Sequence, residues 1–195
     1  MASPDPPAGD RPEVCLPDRA SWRQWLEENH ASLPGIWMIL YKKATRKPGL
    51  EYEESVEEAL CFGWVDSRKK RLDDESYALM FTPRKPESPW SRSNKERVEK
   101  LIGRGLMTPA GLARIEEAKR NGAWTVYDAI EDLVVPDDLA AALDTETGSM
   151  GNFEGFSVSV RKNILWWIAS ARRPETRARR IAKAAAAAAA NRNPL

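Results

Sequence analysis

Residues 59–100 read ALCFGWVDSRKKRLDDESYALMFTPRKPESPWSRSNKERVEK, and how this stretch divides into elements decides the fold. It opens in a helix. Across 53–62 the apolar stripe is Val56, Ala59 and Leu60, and Glu53, Glu54, Glu57 and Glu58 take the water side. Acidic residues in the first turn also suit the helix dipole. Gly63 ends this helix in a left-handed conformation. Trp64-Val65-Asp66 then leaves it, and 67–71 is expected as a basic loop. The run YALMFT, 77–82, predicts a strand that Pro83 closes. Ser91 or Ser93 caps the next helix, on the stripe Val98, Leu101 and Ile102; Ser93 with Glu96 fits a capping box.

Upstream, Trp22, Trp25 and Leu26 lie at helical spacing after a cap at Asp18, and IWMILYK, 36–42, predicts a buried strand. Pro48-Gly49 turns the basic loop that follows. Downstream, Thr108-Pro109 opens a helix that Asn121-Gly122 stops. AWTVY, 123–127, is a short strand or a packed extended piece. Helices follow from Pro136, from the Ser157 cap and from Pro174, with 145–151 a polar loop and 152–156 a turn. The last helix runs into seven alanines, 184–190, of high helix propensity but little hydrophobic reach.

The fold class is therefore α+β: a small, antiparallel sheet from 36–42 and 77–82, with 124–126 as a further candidate strand, covered by helices. Residues 1–13, with four prolines, are expected to be a disordered tail. An α+β domain spans 14–127, a helical region 128–190 packs on it, and 191–195 frays.

The 195 residues include 42% hydrophobic side chains and eight tryptophans, ample for a core. The apolar runs fall far short of the roughly 20 residues that span a bilayer, so no membrane partner is expected. Two cysteines, Cys15 and Cys61, make no disulfide framework, and a cytoplasmic setting follows as the expectation. The net charge of +1 hides a segregation: −5 over 1–67, +5 over 68–107, −7 over 108–155 and +8 over 156–195. Such blocks either form a surface for an anion or pair with one another across the folded surface.

Two segments carry candidate chemistry. Asp66 follows the Gly-Trp turn and precedes Arg68, Lys69, Lys70 and Arg71; it reads as a general base, as the anchor of an arginine, or as a structural cap. From 83 to 95, PRKPESPWSRSNK gathers the cations Arg84, Lys85, Arg92 and Lys95, the flat face of Trp90, and the neutral hydrogen-bonding groups of Ser91, Ser93 and Asn94. With Trp64, Asp66 and Arg68, and with Lys42 opposite, these residues are expected to bind a small polar or anionic ligand such as a phosphate, carboxylate or nucleotide. The bland alternative is a loop anchored by Trp90 with solvated charges. Cys61 reads as a buried structural cysteine, because the one histidine, His30, lies far off in sequence. One histidine and two distant cysteines give no zinc site, and no cofactor fingerprint is present. The cations Arg172, Arg173, Arg177, Arg180 and Lys183 of the last helix offer an alternative nucleic-acid surface, set against a solvated helix facing acidic 128–146.

Four segments carry a family resemblance: ALCFGWVDS at 59–67, FTPRKPESPWSRSNKERVEKLI at 81–102, GLMTPAGLARIEEAKRNGAW at 105–124 and SVRKNILWWIASARRPETRARRIAK at 159–183. Together they resemble the YdeI/OmpD-associated family, also labelled bacteriocin-protection proteins, over about 17–183. Val65 and Ser67 stand where the family pattern often has Ile and Gly. The resemblance implies a small bacterial protein linked to stress or bacteriocin tolerance, and supplies no catalytic residues. An enzyme of specialised metabolism using 59–97 remains open beside the binding reading.

Overall fold

The computed structural model describes residues 11–195, in two compact units that divide between Trp124 and Thr125. The expected tail therefore lies outside the described residues as far as residue 10.

The first unit is built on a mixed four-stranded sheet. Strand β1 (Glu13–Val14) runs parallel to β2 (Ile36–Tyr41). β4 (Ser76–Pro83) runs antiparallel to both β2 and β3 (Trp64–Arg71), in the order β1-β2-β4-β3. Alternation along β2 sends Ile36, Met38 and Leu40 into the core. β4, in the middle, is buried at six successive residues, from Ser76 to Phe81. Helices α1 (Arg19–Asn29), α2 (Tyr52–Cys61), α3 (Arg92–Gly103) and α4 (Pro109–Asn121) complete this unit. Trp22, Leu26, Val56, Leu60, Val98, Leu101 and Ile115 meet Tyr77, Leu79 and Phe81 in one core. The caps at Asp18, Ser91 and Thr108 form as the sequence suggests. The capping box sits instead at Glu51 and Glu54 of α2.

Three expectations are corrected. The segment 67–71 is not a loop but the outer half of β3. The ladder with β4 extends through Lys69, Lys70 and Arg71, and an edge position lets their heads stay in water while the backbone pairs. The sheet is mixed, not purely antiparallel, because residues just before α1 add β1: Trp37 N–H donates to Pro12 O at 2.9 Å. Residues 124–126 form turns, not a strand. Gly122 turns left-handed at φ 84°, and Trp124 N–H donates to Ala118 O, so the segment folds back on α4.

The second unit is helical: α5 (Asp128–Glu131), α6 (Asp137–Asp144), α7 (Ser149–Gly155), α8 (Val158–Ala169) and α9 (Pro174–Ala189). α7 replaces the expected loop and turn over 149–155. Gly148, at φ 79°, reverses the chain; Phe153 then enters the core with Leu139, Leu143, Ile164, Leu165 and Ile168. The alanine run is not idle surface. Ala184, Ala185 and Ala188 are buried, and α7 lies close enough for Ser149 Oγ to donate to Ala185 O at 3.1 Å and Asn152 Nδ2 to Ala188 O at 2.9 Å. Small side chains are what allow another helix's donors to reach carbonyls near the C-terminal end of α9. α9 closes past Ala190 with Asn191 left-handed and Arg192 N–H bonded to Ala187 O. No described helix is long and apolar enough to cross a membrane.

Candidate functional site

The site forms where β4 leaves the sheet. Gly63, at φ 74°, has no room for a side chain: a Cβ would meet Arg114 Cγ at 2.7 Å and Ala110 O at 3.2 Å. Its carbonyl accepts from Arg84 N–H at 2.9 Å, fixing the first residue beyond β4 against the turn that precedes β3. The Arg84 side chain folds back into its own loop. Its guanidinium carbon lies 3.9 Å from the Trp90 ring centroid, and Nη1 donates to Pro89 O at 3.0 Å and Ser88 O at 3.3 Å.

The result is an arginine only 4% exposed, whose buried Nε–H has no hydrogen-bond partner among the described residues. Burial pushes its pKa down to about 10, against which the Asp66 carboxylate acts weakly in the other direction. Arg84 lines a cleft of about 490 Å³ beside Met80 and Thr82, on the sheet face away from Leu79 and Phe81. Arg11, Arg68, Lys85 and Arg114 line the same cleft, and no carboxylate does. Arg11 rests its Nη1 on Met80 Sδ at 2.9 Å, and Arg114 pairs with Glu117 at 2.7 Å.

Of the residues singled out in the sequence, this cleft gathers Arg68, Arg84 and Lys85. Lys42 lies elsewhere: its Nζ donates to Asp73 O and Asp74 O, and it lines a second cleft, of about 620 Å³, with Lys43, Arg46, Lys47, Lys69, Tyr41, Tyr52 and Tyr77. Asp66 is half-buried and accepts from Tyr52 Oη at 3.3 Å. Trp64 is a core residue, its Nε1 donating to His30 O at 3.1 Å. Trp90 is buried too; Arg84 covers one face and Trp124 packs at 5.1 Å, so its ring serves the fold. Ser91 caps α3, Asn94 accepts from Arg97, and Lys95 sits 5.3 Å from the Trp124 ring, all away from the cleft. Nothing in the sequence marks Arg11 or Arg114 as cleft residues. Arg11 lies in a segment that reads as tail, and Arg114 on a helix face whose neighbours only the fold reveals.

The basic helix is largely engaged within its own unit. Arg177 grips Asp138 at 2.7 and 2.8 Å, Arg180 donates to Trp167 O, and Lys183 lies 5.4 Å from the Trp167 ring. Arg172 and Arg173 are exposed.

Burial pushes the Cys61 thiol up to about 11, and the nearby Glu58 charge adds to the shift. Since the folded protein holds this proton more tightly, stability from Cys61 is lost as pH rises from about 9 towards about 11. His30 gives no base to Cys61: its Nδ1 lies 2.7 Å from Leu26 O and its ring packs on Phe62. A thiol titration of the native protein near pH 8 is therefore expected to count one fast cysteine, Cys15, and to release Cys61 only on unfolding. Two fast thiols would contradict the packing of α2. Among the described residues, no cluster of three or more His, Cys, Asp or Glu side chains is placed to hold a metal ion.

Comparison with protein families divides the chain much as the contacts do. Residues 14–114 match a family described as a domain of unknown function, DUF8412, over just over half of the chain. Residues 132–191 match the family described as Bacteriocin-protection, YdeI or OmpD-Associated. The resemblance noted across 17–183 is thus shown for its C-terminal part, and the cleft lining, apart from Arg11, falls in the other match. Searches of curated proteins and of solved structures give no match.

Proposed function

We propose, for a chain that belongs to the DUF8412 family and carries a YdeI/OmpD-associated segment after it, that the first unit binds a small anionic ligand in the Arg84 cleft. One observation carries the reading: a buried guanidinium with an unpaired N–H, in a concavity lined by four further cations and no carboxylate. A buried charge without a full set of partners costs stability, and an arriving phosphate or carboxylate supplies the missing negative charge. Arg68, exposed in the lining, is placed to hold the remaining oxygens, while Arg114 is paired with Glu117. Arg84 itself is held by its carbonyl partners and Trp90, so the ligand meets a pre-positioned group.

The setting belongs to the proposal as well. Cys15 and Cys61 are both free thiols, which fits a reducing cytoplasm. A link to bacteriocin tolerance rests on the description of the C-terminal family.

Arg84→Met separates binding from folding. It keeps an unbranched chain against Trp90 and removes the buried charge. The ligand-free variant is expected to be as stable as the parent or more so by about 1 kcal/mol, because apolar replacements of incompletely paired buried charges are often neutral or stabilising. Calorimetric titration with a panel of anions (inorganic phosphate, adenosine triphosphate, citrate) is expected to show binding that the variant loses by roughly tenfold or more. Anion binding of equal strength in Arg84→Met, or none to the parent, would remove the reading.

A further inference from the structure

We propose that β3 is the recognition strand for single-stranded nucleic acid, with the phosphodiester backbone following the sheet edge between the two cation-lined clefts. The inference rests on the anion reading of the Arg84 cleft and extends it to a polymer.

β3 is the outermost strand of the sheet, and Ser67 to Arg71 are all exposed, four of them consecutive cations. A β-bulge interrupts the strand. Asp66 opposes Phe81 and Lys69 opposes Leu79, so three steps along β3 match two along β4. Alternation alone puts Arg68 and Lys69 on opposite faces, and the extra residue brings Lys69 to the face that Asp66 takes. Arg68 lines the Arg84 cleft on the open face, while Lys69 stands over the Tyr77 ring, 3.9 Å from its centroid, in the tyrosine-lined cleft on the other. One strand thereby borders both concavities. Its eight residues span about 26 Å, longer than any single phosphate needs.

The second cleft adds what a polynucleotide requires and a lone anion does not. Tyr41 and Tyr52 are 38% and 37% exposed at its rim, rings on which bases stack. Lys43 and Arg46 line it as well, and Glu51 is its one lining carboxylate. The acidic hairpin marks where the track stops: Asp74 takes Arg71, Glu75 takes Lys47, and Lys42 is tied to the carbonyls of Asp73 and Asp74. Lys43 pairs with Glu51 at 3.9 Å, so Arg68, Lys69, Lys70 and Arg46 remain for phosphates. Charge alone on an edge strand also prevents sheet-to-sheet aggregation. That purpose needs neither a cleft on each face nor exposed rings beside one of them. Bases stack on the tyrosine rings only when unpaired, so the single strand is the form that fits.

The test uses fluorescence anisotropy with a labelled oligothymidylate of about 15 nucleotides across a salt series, beside a duplex of equal length. Four phosphate contacts set the expected slope of log K against log salt at about −2.8, and removing two cations in Arg68→Ala/Lys70→Ala lowers its magnitude by about 1.4. Tyr52→Ala is expected to weaken binding roughly tenfold with the slope unchanged. Both cations are exposed, and thermal melts confirm that the variants fold. The proposal is overturned by no oligonucleotide binding at low salt, by a slope indifferent to the double variant, by loss on Arg179→Ala/Lys183→Ala instead, or by binding to phosphatidylserine vesicles in preference to the oligonucleotide. Calorimetry with inorganic phosphate runs in parallel. Phosphate binding at Arg84 without oligonucleotide binding removes this inference alone, and absence of both removes the anion reading too.

Discussion

Gly111→Ala is expected to cost the first unit about 3 kcal/mol or more of stability, read by denaturant unfolding. Gly111 lies in the first turn of α4, where that helix crosses the end of α2. A Cβ there would stand 2.3 Å from Cys61 O and 2.8 Å from Leu60 O. Both are backbone atoms of a helix end and cannot swing aside. The same Cys61 carbonyl accepts from Thr108 N–H at 3.1 Å and Thr108 Oγ1 at 2.7 Å, so backing α4 away breaks those bonds as well. α4 also carries Arg114, and the displacement is expected to weaken anion binding along with the fold. Gly103→Ala is the control. Nothing lies within 4 Å of its Cβ position, and alanine in a helix is favoured over glycine by roughly 0.5–1 kcal/mol, so this change should be neutral or mildly stabilising. Equal losses in the two variants would contradict the close crossing of α2 and α4.

Ala188→Leu is the second large effect, at about 3 kcal/mol against the second unit. Ala188 is fully buried, and its carbonyl accepts from Asn152 Nδ2. Three added carbons have no space where α7 lies on α9. Ala186, two residues earlier, is exposed, and Ala186→Leu is expected to change stability by no more than about 0.5 kcal/mol. A pair of variants in one alanine run, one severe and one silent, tests whether the run is a packing strip. Similar small effects at both positions would return it to a solvated helix end.

The sequence made most of the first unit legible, for reasons that are local. Asp18, Ser91 and Thr108 announce their helices because a capping side chain acts within three residues of itself. IWMILY and YALMFT announce strands because burial forces β-branched, aromatic and apolar side chains into short runs. β3 was illegible because its outer half has the composition of a solvated loop. What makes it a strand is the ladder offered by β4, which no property of Arg68 to Arg71 reports. α7 was hidden in the same way: a glycine and polar residues read as a loop, while Ser149 and Asn152 find their partners on α9, 36 residues away.

The candidate site divides along the same line. Arg84 and Lys85 stood out as cations in a proline-rich segment. That Arg84 is buried while Trp90 serves as its platform depends on the path of the loop. Arg11 and Arg114 come from segments far apart in the chain, and only the fold brings them to one cleft.

On the proposed reading, Arg84 awaits an anion. The most direct measurement follows the Arg84 Nε–H resonance by proton–nitrogen correlation spectroscopy during titration of the protein with inorganic phosphate, assigned by its loss in Arg84→Met. The expected result is a saturable downfield movement of that resonance, accompanied by those of Arg68 and Arg114, as the unpaired donor gains a negative partner. A resonance that stays fixed while phosphate reaches saturating concentration, or that moves only in linear proportion to ionic strength, would contradict it.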